Sequence, residues 1–350
     1  MKRIVICCDG TWNTPDQVLG GRPCPTNVTK IAEAVAPRAR DGVLQATYYQ
    51  RGVGTAPWER IRGGAFGWGL SRNIVDAYRW LVAAYEPGDE IFLFGYSRGA
   101  YTARSLGGLI RNCGVIRREH AARIDAGYRL YRKRDSHPGE RESTLFRKSY
   151  AHEGLGEPTR IKFVGVFDTV GALGIPLGIL GALSRRLFGL EFHDVELSGI
   201  VEHAYQALAI DEKRKAYEPT LWVQPRPKEG QVIEQTWFAG VHGNAGGGCR
   251  DDRPSDEALR WILAKASACG LEFDEEYVRH HVHKRCFGRL SESRKGIYRL
   301  SPPYLRPVCA PHAGLTHEGV HPSVLERQHI DAAYRPANAS RALVEAWLRD

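Results

Sequence analysis

A chain of 350 residues, 43% hydrophobic and 25% charged, is long enough to bury a large core and too ordinary in composition for a disordered, collagenous or repeat architecture. Its formal charge of +9 admits an anionic membrane surface as a partner, but the arginines form no uniform basic block with interleaved aromatics, which argues against nucleic acid. Eight cysteines without a C-x-x-C pair, and no signal-peptide pattern, give the expectation of reduced thiols in a cytoplasmic protein.

Taken in chain order, the elements alternate between strand and helix. Arg3 to Cys8 is a short apolar run that reads as a first buried strand, with Cys7 and Cys8 on opposite faces and Asp9-Gly10-Thr11-Trp12-Asn13 as its exit turn. A helix from Val28 to Val35 follows, with Asn27 placed to cap it. A second strand, Leu44 to Tyr49, ends in the glycine-rich turn Arg51-Gly52-Val53-Gly54-Thr55. Leu70 to Tyr85 carries Ile74, Ala77, Tyr78, Leu81 and Val82 at helical spacing and stops at Pro87-Gly88-Asp89. The apolar run from Ile91 then passes through Gly95-Tyr96-Ser97-Arg98-Gly99 into a further helical pattern. That is the sequence form of a nucleophile elbow.

Residues 117–158 are basic but salted with acids and read as a solvated helical insertion within a single 1–350 unit. Arg160 to Phe167 is a fourth strand, closed by Asp168; Gln235 to Gly240 is a fifth, followed by His242. Between them, 171–200 is rich in Leu, Ile, Gly and Pro and is a candidate lid or cap, too interrupted for a membrane span. The segment Arg279 to Cys286 holds several ligand-type side chains, but their spacing fits no common zinc pattern and reads as an exposed helix face; no metal is expected.

The order of elements predicts an α/β fold: a mostly parallel sheet with helices on both faces and helical insertions. In such sheets ligands gather at strand C-termini, where Ser97, Asp168 and His242 all fall. A serine hydroxyl needs a histidine to take its proton and an acid to hold that histidine, in the chain order Ser, Asp, His. The expected activity is therefore serine ester hydrolysis through an acyl-enzyme, with no cofactor. Ser97 is the nucleophile, His242 the base, Asp168 the acid, and His321 the alternative base at the start of a C-terminal helix. The expected oxyanion hole combines the amide of Arg98 with Gly10 and Thr11, oriented by Asp9, while Gly95 and Gly99 supply the missing bulk at the elbow. A catalytically silent scaffold binding a ligand or protein partner is the alternative. An aspartyl-phosphatase reading of Asp9-Gly10-Thr11 fails because Cys7 stands where the attacking Asp would be.

The motifs Cys8-Asp9-Gly10-Thr11-Trp12-Asn13, Pro25-Thr26-Asn27-Val28, Gly52-Val53-Gly54-Thr55, Gly95-Tyr96-Ser97-Arg98-Gly99-Ala100, Phe167-Asp168-Thr169-Val170 and Gly240-Val241-His242 occur in order along the chain. Together they resemble the alpha/beta-hydrolase family of domain of unknown function 2235, which includes type VI secretion phospholipase effectors. The resemblance runs on through Ala207 to Arg214, His321-Pro322-Ser323-Val324 and Tyr334 to Asn338. It implies the same three site residues, a lipid or other acyl-ester substrate and, for an effector, export by type VI secretion and an immunity-protein partner. Where that family usually has an acidic residue after the histidine, this chain has Asn244, which removes a charge and any cation site it served.

Overall fold

The computed structural model describes residues 1–54, 65–133, 137–156, 159–171, 196–283, 287–309 and 313–347. Its strands, in chain order, are β1 (Lys2–Cys8), a small antiparallel pair β2 (Val18–Leu19) and β3 (Arg22–Pro23), β4 (Leu44–Gln50), β5 (Glu90–Tyr96), β6 (Ile161–Phe167), β7 (Val201–Ala209), β8 (Val232–Phe238) and β9 (Glu318–Val320). All but the small pair join one sheet in the order β4-β1-β5-β6-β7-β8-β9, with every neighbouring pair parallel. The fold is α/β, as the alternating elements predict.

Alternation along the central strands sends side chains into two separate cores. Ile4, Ile6, Cys8, Ile91 and Leu93 pack against helices Ala65–Ala84 and Arg98–Cys113, whereas Val5, Cys7, Phe92 and Phe94 pack against Asn27–Ala34 and Arg253–Ala268. Cys7 and Cys8 therefore lie on opposite faces, and each large apolar side chain taken out of water contributes about 1.5–3 kcal/mol. A third cluster, including Trp237, Val308, Val320, Tyr334 and Val344, fastens the C-terminal region over the β7–β9 end. Among the described residues no helix is long and apolar enough to cross a membrane.

Several boundaries differ from the sequence pattern, each for a physical reason. The first helix is capped by Thr26, whose hydroxyl accepts the Thr29 amide at 3.1 Å; Asn27 instead sends its side-chain amide to the carbonyls of Ala245 and Ser255. Strand β7 has no counterpart in the expected elements because Glu202, His203 and Gln206 interrupt its apolar pattern, and β9 spans only three residues. The 117–158 segment contains helices Ile124–Tyr131 and Arg141–Tyr150. The candidate lid at 171–200 falls mostly on 172–195, outside the described residues, as does Thr55.

Candidate active site

The strand-to-helix turn at Ser97 works because two side chains are missing. Ser97 adopts φ 57° and ψ −120°, a conformation L-residues rarely hold. A Cβ on Gly95 would lie 2.5 Å from the Gly99 carbonyl oxygen, and one on Gly99 would lie 2.1 Å from the Cys8 carbonyl oxygen. Only glycine lets the elbow close against the end of β1. The Ser97 amide donates to the Phe167 carbonyl at 2.9 Å, which ties the turn to the end of β6.

At the end of β6, Asp168 also takes a positive φ, 44°, and its side chain turns into the protein interior. The His242 ring bridges it to the elbow: Nδ1 is 2.5 Å from Asp168 Oδ2, and Nε2 is 2.8 Å from Ser97 Oγ. His242 opens a short helix, His242–Gly246, behind β8; its ring lies between Tyr96 and Tyr217, with ring centroids at 4.8 and 4.9 Å. Gly246 makes room for this arrangement, since a Cβ there would sit 2.0 Å from the Tyr96 ring. Ser97, Asp168 and His242 are thus brought together in one hydrogen-bonded line. His321 is not part of it: its Nδ1 pairs with Ser323 Oγ at 2.9 Å and its ring stacks on Phe238.

Two charged neighbours of this line are absent from the sequence expectations. Arg306 reaches in from the loop after 296–300 and donates from Nη1 to Asp168 Oδ1 at 2.6 Å and from Nη2 to Asp168 Oδ2 at 3.0 Å, both side chains being fully buried. Burial pushes the Asp168 carboxyl up, but the Arg306 charge and the hydrogen bonds from His242 and Arg306 outweigh it and hold the group well below the usual carboxylate range. Glu212, also buried, accepts the His242 amide at 3.3 Å and pairs with Arg214. Neither residue stands in a periodic pattern. A buried arginine in an irregular loop leaves no trace in composition or spacing.

The loop after β1 is organised by Asp9, whose carboxylate accepts from the Gly10 amide at 2.6 Å, Thr26 Oγ1 at 2.7 Å, Thr29 Oγ1 at 3.0 Å and Tyr49 OH at 2.6 Å. The Gly10 amide is therefore committed to Asp9 and not aimed at the elbow. Thr11 and Arg98 do line the same cavity as Ser97 and His242, a cleft of about 580 Å³, and Thr11 Oγ1 is buried there without a hydrogen-bond partner. Gly52 braces the loop from behind, where a Cβ would lie 1.7 Å from the Gly10 carbonyl oxygen. Trp12, Leu19, Arg214, Arg250, Lys295 and Tyr298 also line the cleft.

Other positions raised by the sequence have structural employment. Asn244 Oδ1 accepts the amides of Val241 and Ser291, fixing the turn behind His242. From the 279–286 segment, His283 presents a ligand-type atom within 4.8 Å of those of Asp252 and Asp256, and both carboxylates are already paired with Lys30 Nζ, at 2.8 Å and 2.7 Å. Cys7 points into a core rather than towards the cleft, and the seven described cysteines are all free thiols.

A model of the catalytic domain of type VI secretion system (T6SS) phospholipase effectors, Tle1-like, matches residues 2–265. The chain belongs to this family. An uncharacterized protein of Saccharomyces cerevisiae, YEL023C, is 30% identical over 258 residues, covering 67% of this chain and 35% of that protein. Among solved structures, an uncharacterized protein from Pseudomonas aeruginosa is similar with a TM-score of 0.45 and 15% identity, over 78% of this chain and 46% of the other. A Tle1 effector bound to the VgrG spike of the type 6 secretion system gives a TM-score of 0.36 and 18% identity, over 70% of this chain and 50% of the other. The chain thus spans about a third of the yeast relative and about half of each solved chain. Ser97, Asp168 and His242 fall inside the family-matched region, and Arg306 falls beyond it.

Proposed function

We propose that the chain is a serine ester hydrolase that cleaves acyl esters of phospholipids through an acyl-enzyme. The observation that carries the reading is the continuous line Ser97 Oγ, His242 Nε2 and Nδ1, Asp168 Oδ2, seated on three strand ends. In the first half-reaction Ser97 Oγ attacks the ester carbonyl as His242 takes its proton, and His242 then returns that proton to the departing alcohol. In the second, His242 draws a proton from water as that water attacks the acyl-Ser97 ester and returns the proton to Ser97 Oγ as the acyl–oxygen bond breaks, freeing the fatty acid. Developing negative charge on the carbonyl oxygen is assigned to the backbone amides of Arg98 and Thr11, both on the cleft wall.

Two features support a phospholipid over a small soluble ester. The cleft lining combines the cations Arg250 and Lys295 with Trp12, Leu19 and Tyr298, a lining suited to a phosphate carried beside acyl chains. Trp12, Val18 and Leu19 are exposed apolar residues at the same rim, next to the exposed Arg22 and Arg250, and would seat the cleft on an anionic membrane. Family membership supports export by type VI secretion and an immunity partner in the producing cell.

The test is a fluorophosphonate probe together with fatty-acid release from phosphatidylglycerol vesicles, compared with a short soluble ester. The wild type is expected to label at Ser97 and to prefer vesicles, and Ser97→Ala to lose both activities by about 10⁴-fold or more. Folded wild-type protein that takes no probe would leave the silent scaffold standing; labelling with no preference for vesicles would reduce the reading to a general esterase.

A further inference from the structure

A triad needs its acid to hold the histidine, and here the acid is also gripped from the other side. The Arg306 guanidinium spans both oxygens of Asp168, and its remaining bonds lock it in place: Nη1 also donates to the Ala209 carbonyl at 2.7 Å, and Nη2 to the Tyr217 carbonyl. The Arg306 main-chain carbonyl is itself held by Asn338 Nδ2 at 3.0 Å, and the same amide group bonds the Ile210 carbonyl. A full cation in this position competes with a protonated His242 for one carboxylate.

From this geometry we infer that Arg306 is a positioning residue for the Ser97 reaction, gripping both oxygens of Asp168 so that its carboxylate stays aimed at His242 Nδ1. The inference rests on the hydrolase reading above. With Arg306 present the Asp168 carboxyl is held well below the usual carboxylate range in spite of its burial, so a charged acceptor faces His242 Nδ1 when the ring takes the serine proton. Without it, burial pushes the Asp168 carboxyl up with only the His242 contacts to oppose it, so the acid takes a proton at higher pH and the charged partner of His242 is lost.

The other groups facing His242 do not supply this control. Glu212 lies against its main-chain amide and carries Arg214 as its own partner; Tyr96 from β5 and Tyr217 flank the ring; Arg98 on the elbow helix and Tyr298 line the cleft beyond. Each charge near the ring thus belongs to a pair or to the cleft, and Arg306 alone among these groups bonds to the acid of the triad.

The experiment is the pH dependence of fluorophosphonate labelling of the full chain, compared with that of Arg306→Gln and Arg306→Lys. In Arg306→Gln the acid limb is expected to move to higher pH by about one unit or more. Arg306→Lys keeps the buried charge but not the two-pronged grip, so the limb is expected to stay in place while labelling slows by about tenfold. A wild-type limb in folded Arg306→Gln overturns the inference. Should that variant not fold, Arg306→Lys decides: a wild-type rate, or a limb displaced in spite of the retained charge, overturns it. Wild-type protein that labels at no pH sinks the hydrolase reading instead, so the two failures are distinct.

Discussion

Ser97 and Asp168 are held by opposite means. Around Ser97 the chain leaves side chains out: Gly95 and Gly99 let backbone press on backbone, and the strained turn is fixed by contacts that tolerate no added carbon. Around Asp168 it crowds polar groups in, with Arg306, His242 and the Ala209 amide all converging on one carboxylate. The first arrangement is a matter of shape and is written within five residues. The second is a matter of charge, and its main partner lies 138 residues away.

The sharpest way to break the contrast is at Gly99. Gly99→Val drives its branched side chain into the end of β1, so a loss of more than about 4 kcal/mol or outright failure to fold is expected, read by urea denaturation and soluble yield. A folded, stable Gly99→Val would show that the elbow is not set by shape. Next in size is Asp168→Asn, which removes the charge that holds His242 while sparing the bulk. Turnover should fall about 10⁴-fold with the fold intact by circular dichroism. Only a fall of less than tenfold would contradict a charge-held acid. Smallest is Asn338→Ala, which frees the Arg306 and Ile210 carbonyls and should cost about 1–2 kcal/mol in thermal or urea unfolding. No measurable loss there would mean that the C-terminal region adds nothing to the grip on Arg306.

The shape-held half was legible because its determinants are local. Continuous apolar runs announce β1, β5 and β6, and glycine at two fixed positions announces the turn. Asp168 and His242 followed from their positions at strand ends, and their distances to each other and to Ser97 agree with the pairing that chain order suggested. What escaped is what only the third dimension supplies. Gln206 makes β7 look too polar for a central strand, yet it is buried, with Thr169, Thr220 and Gln235 satisfying its amide. The Gly10 amide looks like an oxyanion donor until Asp9 is seen to fold back on it. Arg306 sits among Tyr304, Leu305 and Pro307, a context with no period and no motif.

The parallel order of the sheet has a consequence for the birth of the protein. Strand β1 pairs with β5 across 87 residues, the Ser97 hydroxyl waits for a histidine 145 residues later, and the carboxylate that steadies it waits a further stretch for Arg306. During synthesis the elbow therefore leaves the ribosome long before the residues that bond to it. Contacts this distant in sequence form late and slowly. A nascent or truncated chain carries Ser97 without its hydrogen-bond partner, and the line from Ser97 through His242 to Asp168 and Arg306 is complete only when the last of these loops has folded.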